Sequence, residues 1–327
     1  MWKLLLVLTC FATLMGCQKS PSHSAQPLQK ITFAYTYQPQ STLVHVAVAK
    51  GYFTEEGLDV QSLMFSFGKA SLQSLIDHKS DFATVAETPI MFNVLRGEKI
   101  FVIANIEATS MNNAIVARKD AGITKAGDLK GKRIGFTPGT TSDFFLDSLL
   151  TASGLTRKDI RPVGLKPEEM QEAIMSKQVD AVCTWNFQLT QISHQLGANG
   201  AIIYDREVYT ETYNVAAQQS FVQSNPETVK HLLRALIKAE DFVKKNPDVA
   251  QAIMAAATKV DKGTIHEVWN AFTNHVQLSQ TLLITLEDET RWAMENKLTD
   301  QTVVPDYKSF IYTDSLKAVK PEVVTIK

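Results

Sequence analysis

From Gly135 the chain reads Gly-Phe-Thr-Pro-Gly-Thr-Thr-Ser-Asp143, a proline and glycine turn followed by three hydroxyls and an acid. Apolar residues at Phe144, Phe145, Leu146, Leu149 and Leu150 continue it with helical spacing. The turn therefore delivers a helix N-terminus, where unpaired N–H groups and the positive dipole end attract an anion or a polar oxygen. Asp143 pulls the other way and would favour an amine. A purely structural role competes with both: Thr140, Thr141 and Ser142 suit helix caps, worth about 1 kcal/mol each. Thr140 and Asp143 also have capping-box spacing, with Asp in place of Glu. A phosphate-cradling P-loop is excluded, because residues 135–142 lack its Gly-Lys-Ser/Thr ending.

Catalytic and metal chemistries find little support elsewhere. The seven histidines never fall in His-x-x-x-His spacing, there is no Cys-x-x-Cys, and no Gly-x-Ser-x-Gly elbow occurs. Cys183 lies in an apolar run with no base beside it, so it reads as a buried thiol. No enzyme activity, cofactor or metal is expected. A formal net charge of −1 supplies no basic field for nucleic acid. The 327 residues, 45% hydrophobic and 20% charged, have room for two globular domains.

At the N-terminus Lys3 precedes a mostly apolar stretch too short to span a membrane, ending in Leu14-Met-Gly-Cys17. The last four residues resemble the bacterial lipobox. Residues 1–16 are then a signal peptide, Cys17 carries lipid, and the polar Pro/Ser-rich residues 17–29 form a flexible tether. A plain cleaved signal with an accidental cysteine is the alternative.

Elements positioning these residues follow from periodicity. Strands are expected at residues 31–35, 58–65, 81–85, 101–106, 114–118, 133–136 and 181–184, and helices at 42–50, 70–78, 89–95, 142–152, 167–176 and 188–195. The alternation is that of a mostly parallel sheet covered by helices. After Tyr213 the pattern turns helical to about residue 296, with starts at Asn225-Pro226 and Asn246-Pro247.

Four fragments carry a family resemblance: Val48-Ala-Lys-Gly-Tyr-Phe-Thr-Glu-Glu-Gly-Leu-Asp-Val60; Ala114-Ile-Val-Ala-Arg-Lys-Asp-Ala-Gly-Ile123; Asp128-Leu-Lys-Gly-Lys-Arg-Ile-Gly135 with Pro138-Gly139; and Val179-Asp-Ala-Val-Cys-Thr-Trp185. In this order they resemble solute-binding proteins of the nitrate, sulfonate and taurine type, a family that includes receptors for thiamine precursors. The resemblance implies a type II periplasmic-binding fold: two α/β lobes joined by two crossing strands, with a ligand cleft between them. Lobe 1 would comprise residues 30–112 and 218–327, lobe 2 residues 113–217, with crossings near residues 112–115 and 213–217. It implies a monomer that captures a small solute by hinge closure and delivers it to an ABC permease and ATPase. The alternative is a receptor feeding a membrane sensor kinase. The same fold family includes an enzyme with a cysteine-rich, histidine-containing motif, which this chain lacks.

Loops after strands become the candidate ligand-binding positions: Tyr37, Gln38 and Gln40; Gly68 and Lys69; Glu87 and Thr88; Asn113; Gly139, Thr140, Thr141, Ser142 and Asp143; Trp185 and Asn186. Trp185 would stack on a ligand or pack its lobe. Glu87 and Asp143 against Lys69 suit an amine-bearing or heteroaromatic solute, such as a thiamine-type pyrimidine, better than a sulfonate, taurine or nitrate. Glu87 paired with Lys69, and Asp143 serving only its helix, would remove that preference.

Overall fold

A computed structural model describes residues 27–326. The expected signal peptide, the expected lipidated Cys17 and the expected tether up to residue 26 lie outside the described residues. The expected tether is shortened at its far end, because the first strand already starts at Gln29, whose N–H donates to Gly57 O.

Eleven strands are described: β1 (Gln29–Thr36), β2 (Leu58–Phe65), β3 (Phe82–Ala86), β4 (Ile100–Thr109), β5 (Asn113–Arg118), β6 (Arg133–Phe136), β7 (Arg161–Gly164), β8 (Ala181–Trp185), β9 (Gly200–Ile203), β10 (Glu211–Gln218) and β11 (Thr273–Gln277). They form a six-stranded sheet in the order β11-β4-β10-β3-β1-β2 and a five-stranded sheet in the order β7-β6-β8-β5-β9. Every residue of β3 is buried, which explains why it reads as a continuous apolar run rather than an alternating one. In the second sheet β5 sends Ile115 and Ala117 into one apolar cluster and Ala114 and Val116 into another. Both of that sheet's faces are therefore covered, with the period of two that strand geometry requires.

Three sequence expectations are corrected. The sheets are mixed rather than mostly parallel: β10 runs antiparallel between β3 and β4, and β5 runs antiparallel to β8 and β9. Residues 213–217 do not cross between lobes but lie inside β10, in the first sheet, so the second passage occupies residues 204–210 and the first residues 110–112. A strand, β11, interrupts the region expected to be helical. Of its five residues only Val276 is buried, so it has no readable alternation, and pairing with β4 decides its conformation.

The long amphipathic helix Pro226–Lys245 covers the first sheet, burying Val229, Leu232, Leu233 and Leu236. Helix Gln280–Glu295 packs beside helix Glu87–Leu95, placing Trp292 against Phe92 with ring centroids 6.0 Å apart. No helix of the described residues is long and apolar enough to cross a membrane.

Candidate functional site

A small cleft opens between the lobes, beyond the carboxyl ends of the strands, where open α/β sheets place their ligands. Gln38 and Gln40 reach it from the loop after β1, and Gly68 and Lys69 from the start of helix Gly68–Ile76. Thr140 and Thr141 come from the opening of helix Thr141–Ala152, and Trp185 from the end of β8. Asn112, Glu211 and Tyr213 complete it from the chain passages, with Phe67, Ala86 and Pro89 as apolar wall.

The strand ends are held by a buried hydroxyl chain. Thr36 Oγ1 lies 3.0 Å from Ser41 Oγ and 3.1 Å from Tyr213 Oη, and Ser41 Oγ lies 3.0 Å from Thr84 Oγ1. Gly68 fits here because a Cβ would stand 2.8 Å from Tyr213 Oη and 3.1 Å from Val85 Cα.

Glu211 is the carboxylate in the cavity wall. It is 1% exposed and accepts from Gln40 Nε2 at 3.2 Å, Asn112 Nδ2 at 2.9 Å and Asn113 Nδ2 at 2.6 Å. Burial raises its pKa, and these three amide donors hold the rise back. Asn113 in turn accepts from Thr141 Oγ1 at 3.0 Å, so a loop of each lobe is wired to the same acid.

The other sequence candidates divide around this centre. Glu87 is fully buried and does not line the cavity: it accepts from Tyr209 Oη, from Thr212 N at 2.9 Å and from Thr212 Oγ1 at 3.1 Å. Burial, with the charge of Glu211, pushes it up to about 8. Thr88 donates to Glu289. Lys69 is not on Glu87; its Nζ reaches across the cleft to Pro138 O at 2.9 Å. Asp143 accepts from Gly139 N at 2.8 Å and from Arg157 Nη2 at 2.7 Å, and does not line the cavity. The expected capping box is replaced by a tighter turn, in which Ser142 Oγ accepts from Thr137 N at 3.0 Å and Asp143 serves Gly139 rather than Thr140. Gly139 itself sits at φ +67°, the left-handed region open to glycine. Asn186 donates its Nδ2 to Met111 O at 3.2 Å, clamping the first passage. Tyr37 is 38% exposed, away from the cavity.

Glu211, Tyr213, Phe67 and Pro89 escaped sequence reading. Glu211 opens a strand buried from end to end save its last residue, and polar Thr212 and Asn214 beside it gave no reason to single it out as a site residue.

A family model described as NMT1/THI5 like matches residues 38–250. The chain belongs to the NMT1/THI5-like family. Within reach of this NMT1/THI5-like chain is a protein of Brucella abortus (strain 2308) with a provisional binding-protein name, 28% identical over 231 residues, covering 69% of this chain and 70% of that one. A formylaminopyrimidine-binding protein of Halalkalibacterium halodurans is 20% identical, covering 77% and 78%. Among solved structures, the alkanesulfonate-binding protein SsuA from Xanthomonas axonopodis pv. citri, bound to MOPS, superposes with a TM-score of 0.77 at 16% identity, over 88% of this chain and 99% of that one. The fold is thus the periplasmic-binding fold implied by the sequence fragments.

Proposed function

We propose that this protein is the extracytoplasmic solute-binding lipoprotein of an ABC importer, anchored through Cys17 and handing its solute to a membrane permease. The solute is a small, planar, amine-bearing heteroaromatic of the pyrimidine class. One observation carries the ligand class: Glu211, a buried carboxylate whose hydrogen-bonding partners, three amides and the Thr141 hydroxyl, are all neutral, faces the cavity beside Trp185. A ring amine or amidine-like N–H pair supplies the charge-assisted donor that this acid lacks, while Trp185 and Phe67 offer flat faces to the ring. A sulfonate in the same cavity would set its oxygens against the Glu211 carboxylate, with Lys69, one of whose donors already goes to Pro138 O, as the cation on the lining. The relative named for formylaminopyrimidine binding supports this choice; the structural neighbour named for alkanesulfonates supports the other.

A binding role, rather than catalysis, is supported by Cys183. This thiol is buried, its S–H donates to Ser142 O at 3.2 Å, and burial pushes its pKa far up, so it supplies no thiolate.

A thermal-shift series on the full chain tests the reading with 4-aminopyrimidine, taurine, an alkanesulfonate and nitrate as probes. At about a hundredfold excess over Kd a true ligand adds roughly 2.7 kcal/mol. Stabilisation by 4-aminopyrimidine is expected. Stabilisation by the anions alone would reject the amine assignment, and none by any probe class would count against solute binding.

A further inference from the structure

Away from the cavity, a second set of contacts ties the lobes together. Trp292, on the first lobe's helix Gln280–Glu295, is 8% exposed and stacks edge-on against Phe144 of the second lobe, with centroids 5.3 Å apart. Its indole Nε1–H donates to Asp147 Oδ2 at 2.9 Å. Asp147 is 8% exposed, and its other oxygen accepts from Arg157 Nε at 2.6 Å. The same guanidinium donates through Nη2 to Asp143 Oδ1 and stands 4.5 Å over the Phe136 ring. Asp143 then accepts from Gly139 N, inside the turn whose next residues, Thr140 and Thr141, line the cavity. An unbroken path of side chains thus runs from a first-lobe indole, through a carboxylate, a guanidinium and a second carboxylate, to the backbone of the ligand loop.

We propose that Trp292 and Asp147 form a closure latch, wired to the ligand loop through Arg157 and Asp143, that sets how long the protein stays closed on its solute. The inference rests on the solute-binding reading above. Hinge opening separates the groups that belong to different lobes. Arg157 and Asp147 stay together on one lobe, and Trp292 stays on Phe92 of the other; opening breaks the indole bond to Asp147 and the Phe144 stack here, as it breaks the Lys69 bond to Pro138 O at the cleft. A solute that settles the 137–143 turn fixes Asp143, which fixes the Arg157 fork and hence the orientation of Asp147 toward the indole. Solute and latch therefore favour the same closed arrangement and reinforce each other. Trp292 and Asp147 act as positioning residues, since neither lines the cavity.

Trp292→Phe keeps an aromatic ring for Phe92 and Phe144 and removes the N–H donor along with some ring volume; Asp147→Asn removes the charge at the other end without changing size. Stopped-flow kinetics with 4-aminopyrimidine and small-angle scattering, with and without it, read the effect in the full chain. For Trp292→Phe the dissociation rate should rise by about tenfold or more, the loss of one hydrogen bond to a charged group, with the association rate near wild type. The radius of gyration should exceed that of wild type under the same conditions. The double variant should lose less than the product of the two single effects. Wild-type dissociation rates and radii in both variants overturn the latch, as does a lower melting point with unchanged kinetics, which would make Trp292 a packing residue. If wild type binds no probe, the solute reading has failed instead. The latch is then judged on scattering without a probe, where equal radii for wild type and variants overturn it.

Discussion

Glu211 and Trp185 face each other's chemistry in one small space, an acid held by amides and a flat indole at the end of a strand. Each has a separable test. Glu211→Gln keeps the shape but removes the charge and turns one acceptor oxygen into a donor, so affinity for 4-aminopyrimidine should drop at least about tenfold, as expected for losing a charge-assisted bond, by calorimetric titration. Trp185→Ala should also cost at least about tenfold in affinity through lost stacking area, beyond the fall in ligand-free melting point that truncating a side chain only 5% exposed brings. A large drop in melting point with intact affinity would assign Trp185 to packing. At this scale the sequence made half of the cavity legible. Thr140, Thr141 and Trp185 could be found because polar and aromatic residues just past a strand have few other reasons to be there. Glu87 and Asp143 were conspicuous for the same reason, yet the fold spends them elsewhere, on Thr212 and Tyr209 and on Arg157 and Gly139. Charge type is written in the sequence, but partner is a tertiary fact.

Helix and strand boundaries followed periodicity closely wherever one face was apolar. Helix Thr42–Lys50 buries six of its first residues in a row and ends on Gly51 at φ +72°, a stop visible in the sequence. β10 and β11 were less legible, since β10 is buried on both faces, with Asn214 among the buried residues, and β11 is an edge held by its neighbour. The contact between elements gives a sharper prediction at Gly68. Its φ is ordinary, but helix Gly68–Ile76 starts hard against β3 and β10, so Gly68→Ala must displace Tyr213 Oη or the Val85 backbone. Overpacking of this kind costs typically 1–3 kcal/mol, so roughly that loss in urea unfolding is expected. The loss should come with weaker ligand binding, because Tyr213 lines the same cavity. An unchanged unfolding midpoint would mean that the helix slides without resistance.

Across the whole molecule, buried acids set the pH response. Burial raises Glu107 and Glu289 well above the usual carboxylate range, as it raises Glu87 to about 8. The native state thus holds protons that the unfolded chain releases above about 4.5, and stability falls as pH climbs through this range. His45 works oppositely: burial lowers it to about 4, so the unfolded chain binds the extra proton between 4 and the ordinary 6.5, and stability rises with pH there. Glu240 offsets the cost of its burial with Lys244, Val276 N and His275 and drops to about 2. Its contribution is present above 4.5 and is lost as pH falls toward 2. Above pH 6.5 the glutamates act unopposed by His45. The melting temperature should therefore decline from pH 6.5 to 8, and Glu87→Gln should flatten that decline; a melting temperature that holds or rises over this interval would refute the assignment.

The position of β10 has a consequence for the newborn chain. It lies between β3 and β4, yet it follows the entire second sheet in the sequence. Until residues 211–218 are made, β3 and β4 have no strand between them to pair with, so the first lobe has a gap in the middle of its sheet rather than an unfinished edge. Domains usually fold in the order they are synthesised; here the N-terminal lobe must wait for the one that interrupts it. Such long-range closure is slow by nature. If the chain is exported before folding, as proposed, slowness in this lobe keeps it threadable until it has arrived.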